Sequence, residues 1–443
     1  YCRTGHRRRA LGNRRERGAG AGDGERSAPA MGRVDVTSKS GSASQRPHVS
    51  CAPVSSATLR ERRHDGHGDD VRDHDPVRGK VIVHVVPTLD VGGMETFVIA
   101  LARQQQRRGA RVIIACQEHL GGLAASAGVP VEVVPTRGNM AYVRNAGLRR
   151  WLAALMPDAV HVHTFQWLKI APYVRVAARD ACVVLTQHGL PPFRSRFGLF
   201  QMWLAIHAAD VVAAVSDEVG EWQRRVLGVP ASRQRIIRNG VDADVFRPSG
   251  DRAAAKRRLG VPADRFVVGL VARLAAIKNH DMLVEAVRLL HADKQGVHLV
   301  LAGDGERREA LEKQVEGAGL AECVTMLGEV AVTPETYAAF DVFVLPSDTE
   351  GTSISLLEAL SCAVPAIASR VGGNVHLLQD GMIGRLVPPR DAAALADAIR
   401  EVMTCTPCER ERIGARARVH VKSHFSIAAA AHEYVRAYGF LRA

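Results

Sequence analysis

From about residue 80 onward, short continuous apolar runs alternate with longer stretches in which apolar positions recur every three or four residues. Apolar runs of this length, rich in β-branched residues, are the pattern of strands buried on both faces. Strands of that kind separated by amphipathic helices make parallel sheets covered on both sides. VIVHVVPT (residues 81–88) is the first such strand, the loop DVGG (90–93) leads into a helix from about 94 to 108, and RVIIAC (111–116) follows as the next strand. Further strands are predicted at AVHVHTF (159–165), CVVLTQH (182–188) and VVAAVS (211–216). A second series begins at FVVGLVARL (266–274) and continues through VHLVLAG (297–303), CVTMLG (323–328), VFVLPS (342–347) and VPAIAS (364–369). The pattern therefore predicts an α/β protein with two doubly wound parallel sheets, joined by a connector, RNGVDADVFRPS (238–249), whose Asn, Gly and Pro suit a hinge.

Residues 1–79 lack this periodicity and are rich in Arg, Gly, Ser, Asp and His, so they are read as a disordered basic arm. The expected organisation is this arm, a Rossmann-like domain over 80–247, a second Rossmann-like domain over 248–424, and a C-terminal helix over 425–443 with Ala431, Tyr434, Val435 and Tyr438 at helical spacing.

A chain of 443 residues with 47% hydrophobic residues can bury two cores of ordinary size. Its net charge of +13 is uneven, because the first 80 residues hold 17 Lys and Arg against 10 Asp and Glu. No basic face with interleaved aromatics and no nucleic-acid-binding module is evident, so nucleic acid is not an expected partner. The opening segment has no apolar core behind its arginines and does not read as an export signal. The most apolar stretch, residues 199–215, is interrupted by Gln201, His207 and Asp210, so no spanning helix is expected. Eight scattered cysteines fit reduced core thiols and a cytoplasmic setting; Cys405 and Cys408 form a C-x-x-C pair without the further ligands of a zinc site. His161 and His163 are read as facing opposite sides of their strand, in packing or loop support, and not as metal ligands.

In open parallel sheets, ligands bind beyond the carboxyl ends of the strands. After the first strand, Gly92 and Gly93 leave room for a ligand to approach the backbone at a helix N-terminus, although a glycine pair also simply makes a tight turn. After the strand at 266 come Arg273 and Lys278, two cations suited to a diphosphate, or equally to a solvated helix face. In SDTEGTSISLLEAL (347–360), Glu350 occupies a loop after an apolar strand. Gly351, Thr352 and Ser353 open a helix whose N-H groups can hold phosphate or sugar oxygens, with Thr352 or Ser353 as the N-cap, and Glu358 lies within that helix. His188 ends a strand as TQHG (186–189), where a lone histidine is more often structural than catalytic.

With these pieces assembled, the chain from about Val81 to its C-terminus resembles the retaining glycosyltransferases of family 4. LDVGGMET, PDAVHVHTF, LTQHG, IIRNGVDADVF, ARLAAIKN, LVLAGDGERREAL, SDTEGTSISLLEAL and VPAIASRVGGN arrive in that family's order. The resemblance implies the GT-B fold, two Rossmann-like domains facing across a cleft. It implies that Arg273 and Lys278 bind the diphosphate of a nucleotide-sugar donor, and that Glu350 with the backbone of Gly351, Thr352 and Ser353 holds the transferred sugar. Glu358 would bind the ribose, Gly92 and Gly93 would close on the phosphates, and His188 would sit beside the anomeric carbon. It also implies transfer without a metal or other cofactor to a glycan, lipid-linked or small-molecule acceptor, and a C-terminal helix that returns to the first domain. Two positions depart from the pattern: Ala363 stands where the family usually has glycine, and His376 where it often has glutamate. A basic and aromatic stretch, PPFRSRFGLFQMW (191–203), is read either as ordinary helix surface or as a peripheral contact with the inner face of a membrane.

Overall fold

A computed structural model of the protein describes residues 75–134, 146–163, 171–191, 195–292 and 296–441. Most of the predicted basic arm, Arg194, and the end of the AVHVHTF run lie outside the described residues.

Two parallel sheets form the framework. The first contains β1 (Val81–Val86), β2 (Arg111–Cys116), β3 (Val131–Val133), β4 (Ala159–His163), β5 (Cys182–Gln187), β6 (Val211–Ala214) and β7 (Gln234–Ile236). Its strand order is β3-β2-β1-β4-β5-β6-β7. The second contains β8 (Phe266–Val271), β9 (Val297–Ala302), β10 (Val324–Gly328), β11 (Val342–Leu345), β12 (Ala366–Ser369) and β13 (Arg385–Val387), in the order β10-β9-β8-β11-β12-β13. Each order reverses direction next to its first strand, between β1 and β4 and between β8 and β11, which opens a crevice at the carboxyl ends there. The central strands are buried along most of their length, β9 at all six positions, because helices cover both faces.

The sequence pattern missed β3, β7 and β13. Each is only three residues long, and each pairs with one neighbour at or beside a sheet edge, too short to show a periodicity. The reading of His161 and His163 as facing opposite sides is overturned. Residues two apart on a strand share a face, and the two imidazoles lie 3.9 Å apart between centroids, both fully buried.

The chain crosses between the two sheets at residues 239–241 and returns at 425–427, and the two crossings are bonded side by side. Val241 N-H donates to Phe425 O at 2.9 Å, and Ile427 N-H donates to Val241 O at 3.0 Å. The returning segment forms the helix Ile427–Ala437, capped by Ser426, with Ala431, Tyr434 and Val435 buried. Tyr434 packs on Phe97 of α1 (Gly93–Arg107) and on His161 of β4. This helix is thus built into the first half of the molecule although it lies last in sequence.

Candidate functional site

Loops at the facing carboxyl ends of the two sheets bring the chemistry-bearing residues together. On the second sheet, Arg273 follows β8 as an exposed side chain. Its segment is held from beneath by the loop after β9: Leu274 N-H donates to Asp304 O at 2.9 Å. Gly303, at φ +136°, lies where a Cβ would stand 2.1 Å from Ala272 O. Only glycine permits that approach.

Lys278 ends a single 3-10 turn, Ala276–Lys278, and Asn279 then adopts a left-handed conformation, φ 51°, that asparagine tolerates. The turn is tied to the loop after β11, because Asp348 N-H donates to Ile277 O at 2.9 Å and Asn279 Nδ2 donates to Asp348 Oδ1 at 3.0 Å. Lys278 Nζ consequently meets Glu350 Oε1 at 2.6 Å, and Ser347 Oγ donates to the same oxygen at 2.6 Å. The Glu350 side chain is only 7% exposed, so this charge pair is held largely away from water.

Beyond Glu350, Ser353 is the N-cap of the helix Ile354–Ser361, its hydroxyl accepting from Leu356 N-H. Thr352 is not the cap; its hydroxyl donates across the cleft to Val215 O at 2.6 Å, while Asn239 Nδ2 donates to Thr352 O at 3.0 Å. Glu358 lies one turn into the helix, buried, and accepts from Tyr337 OH at 2.6 Å. Burial pushes its carboxyl up to about 7, with the Tyr337 hydrogen bond opposing.

From the first sheet, α1 starts directly after Gly92, and a Cβ on Gly93 would stand 3.4 Å from Ile354 Cβ. The N-termini of α1 and of the helix Ile354–Ser361 therefore approach each other, and both present backbone N-H groups and positive dipole ends. His188 follows β5, its carbonyl against Gly351. Its Nε2 lies 3.1 Å from His163 Nδ1, and its own Nδ1 has no partner among the described residues. Burial lowers the imidazole to about 3, so it is neutral at physiological pH.

One acidic group was not singled out from the sequence. Glu95, in the first turn of α1, has its carboxyl pushed up to about 7 by burial, while its own backbone N-H and the charge of Arg273 draw it down. An acidic residue in the first turn after a glycine pair was the available signal. His376 lies in the short helix Gly373–Leu377 and lines a crevice of about 50 Å³ with Glu218, Arg238 and Phe425. Burial, and then the charge of Arg238, lower its imidazole below the ordinary range.

The paired Lys278 and Glu350 stand before the N-terminus of the helix Ile354–Ser361, which approaches the N-terminus of α1, and the charge of Arg273 reaches Glu95 in the first turn of α1. Cations beside helix N-termini suit a polyanion. Residues 91–245 match the family described as Glycosyltransferase Family 4, and residues 251–420 match Glycosyl transferases group 1. A D-inositol 3-phosphate glycosyltransferase of Geodermatophilus obscurus is 34% identical over 373 residues, covering 75% of this chain and 81% of that protein. Its counterpart in Mycobacterium tuberculosis is 29% identical, covering 80% and 81%. Among solved structures, Anabaena HepE in complex with UDP-glucose superposes with a TM-score of 0.71 at 23% identity, covering 82% of this chain and all of that one. WaaG, a glycosyltransferase involved in lipopolysaccharide biosynthesis, gives a TM-score of 0.65 at 18% identity, covering 81% and 100%.

Proposed function

Because the chain belongs to the group 1, family 4 glycosyltransferases and has their GT-B fold, we propose that it is a retaining, metal-independent enzyme using a nucleotide diphosphate sugar. The observation that carries this reading is the Lys278–Glu350 pair at 2.6 Å, in the loop that runs into the N-terminus of the helix Ile354–Ser361. Arg273 and Lys278, with the backbone at Gly92 and Gly93, hold the diphosphate and stabilise the charge that grows on it as the sugar leaves. Glu350 and the backbone of Gly351 to Ser353 hold the sugar hydroxyls, and Glu358 receives the ribose. A donor phosphate oxygen takes the acceptor proton on the face from which the diphosphate departs, so configuration is retained without a protein nucleophile. His188, neutral beside the anomeric carbon, positions and does not ionise. Catalysis then rests on alignment and charge stabilisation.

The acceptor is a hydroxyl of a glycan, a lipid-linked sugar or a small molecule, in polysaccharide or glycolipid biosynthesis. D-Inositol 3-phosphate, named for the bacterial relatives, is the first small molecule to try. UDP, present in the HepE complex, sets the first donor to try, with GDP- and ADP-sugars beside it. Turnover is measured for the wild type and Glu350→Ala. Equal turnover in both removes Glu350 from the mechanism, and release of an isomerised sugar nucleotide without acceptor, or donor binding without turnover, replaces transfer by epimerisation or by a binding role.

A specific surface favours peripheral membrane contact as well. No helix among the described residues is long and apolar enough to cross a membrane. On the helix Arg196–Ala208, however, Phe197, Phe200, Trp203 and Leu204 are 70%, 58%, 43% and 48% exposed, on neighbouring turns beside the exposed Arg196. An aromatic face beside a cation suits an anionic bilayer. Flotation with anionic liposomes that is unchanged in Phe200→Ser/Trp203→Ser and in Arg196→Glu would remove this contact.

A further inference from the structure

Beneath His188 lies a hydrogen-bonded network whose members come from both ends of the chain. β1 and β4 pair with His84 opposite His161, and β4 and β5 pair with His163 opposite Thr186. All four side chains are fully buried, as is Gln105 of α1. One branch runs from Gln105 to the site: Gln105 Oε1 lies 2.8 Å from His84 Nε2, His84 Nδ1 lies 2.9 Å from His163 Nε2, and His163 Nδ1 lies 3.1 Å from His188 Nε2. The other runs to the C-terminal helix segment: Gln105 Nε2 donates to Tyr438 OH at 3.1 Å, Tyr438 OH lies 2.8 Å from His161 Nδ1, and His161 Nε2 lies 2.6 Å from Thr186 Oγ1.

A neutral imidazole has one donor and one acceptor, so these bonds have a direction. Burial keeps the imidazoles neutral: His84 is lowered to about 4, His188 to about 3, and His161 and His163 well below the usual range. Gln105 Oε1 only accepts, so His84 Nε2 carries the proton and His84 Nδ1 is bare. His163 must then donate from Nε2, leaving its Nδ1 bare, and His188 must donate from Nε2 to it. The sequence of bonds ends at His188 Nδ1, a lone pair to which no group among the described residues donates. Turning the Gln105 amide over would reverse every bond and leave a buried N-H there instead, which proteins tolerate less well than an unfilled acceptor.

We propose that Gln105, His84 and His163 are positioning residues that hold His188 in its Nε2-H tautomer, so that the bare Nδ1 accepts a hydrogen bond from a donor group of the bound substrate. The substrate half of this inference rests on the reading of His188 as part of the transfer site; the tautomer half does not. The same three imidazoles, His84, His161 and His163, place ring nitrogens within 4.8 Å of one another, a spacing a metal ion could also use. Here each of those nitrogens already has a hydrogen-bond partner, and the tautomer network accounts for all of them.

The test is 15N NMR of the full chain labelled at histidine nitrogen, at pH 7.5, with His188 assigned from the spectrum of His188→Asn. The expected result is a protonated Nε2 and an unprotonated Nδ1 at His188, His84 and His163. A protonated Nδ1 at His188, signals averaged between tautomers, or a stoichiometric metal in the digested protein overturns the proposal. No donor or acceptor is needed, so the result stands whether or not transfer is found. Gln105→Glu keeps an acceptor on His84 but can no longer donate to Tyr438. It is expected to leave the His188 signals in place, to place the His161 proton on Nδ1, because Tyr438 OH then donates to the carboxylate and accepts from His161, and to keep kcat/KM near wild type. Gln105→Leu removes the anchor and is expected to average the His188 signals and lower kcat/KM about tenfold, the scale of one lost hydrogen bond. A folded Gln105→Leu protein with unchanged His188 signals also overturns the proposal; if that variant does not fold, the wild type and Gln105→Glu decide.

Discussion

Gly351, in the second half of the molecule, lies so close to the His188 carbonyl of the first half that a Cβ there would stand 2.5 Å from that oxygen. The contact lies between the candidate sugar-binding loop and the candidate catalytic histidine, and only a residue without a side chain permits it. Gly351→Ala is therefore expected to push the two loops apart. Misplacement by about 1 Å costs on the order of a hundredfold in rate, so kcat/KM should fall by about that factor while circular dichroism shows the fold retained. Near-wild-type turnover would show that the approach is not needed for transfer.

The Lys278–Glu350 pair predicts a double-mutant cycle. Removing Lys278 alone leaves a largely buried carboxylate with Ser347 as its remaining hydrogen-bond donor, so Lys278→Ala should cost about 1–3 kcal/mol of stability, less than for a fully buried pair because Lys278 is partly exposed. Glu350→Ala removes the stranded charge, so the double variant should be more stable than Lys278→Ala. Chemical denaturation of all four proteins reads the coupling; additive losses would mean that the pair contributes nothing as a pair. Turnover is expected to be lost in all three variants.

Glu358 predicts a pH dependence. Its folded carboxyl titrates near 7, above the ordinary 4.5, because of burial. Between those values the unfolded chain releases the proton first, so the folded state binds more protons and stability falls as pH rises. The contribution is fully present below about 4.5 and lost by about 7 to 8, on the order of 3 kcal/mol in all. Glu358→Gln still accepts the Tyr337 hydrogen bond but has no proton to lose. Its unfolding free energy should gain on the wild type from pH 5 to pH 8, and parallel pH profiles for the two proteins would contradict the assignment.

Ala363 adopts a left-handed backbone, φ 60°, at the position where the resemblance to the family implies glycine. The left-handed conformation costs a side chain about 1 kcal/mol, partly offset by the greater chain entropy that glycine loses on folding. Ala363→Gly should therefore be neutral to stabilising, by up to about 1 kcal/mol in chemical denaturation. A clear destabilisation would show that the Ala363 methyl contributes packing that outweighs the strain.

Much of the fold was legible because burial on both faces imposes a local signature: VFVL is a continuous apolar run, and VHLVLA is broken only by His298. The short strands β3, β7 and β13 were not legible, since three residues hold no period and their pairing is decided by a neighbour's exposed edge. The loops carrying Arg273, Lys278 and Glu350, and the helix carrying Glu358, could be found from their place after apolar strands. Glu95 was passed over because one acidic residue in a first helical turn has an ordinary dipole explanation.

The chain's own pattern of apolar runs, glycines and helix caps determined two doubly wound parallel sheets and which loops stand at their carboxyl ends, because those features depend on residues near one another in sequence. Only the tertiary structure decided that Lys278 meets Glu350, that Thr352 bonds across to Val215, and that Gln105 reaches His188 through two buried imidazoles. Those relationships depend on strand register and on the returning C-terminal helix, where hydrogen-bond geometry between residues tens to hundreds of positions apart selects the partner, and no local stretch of sequence holds that information.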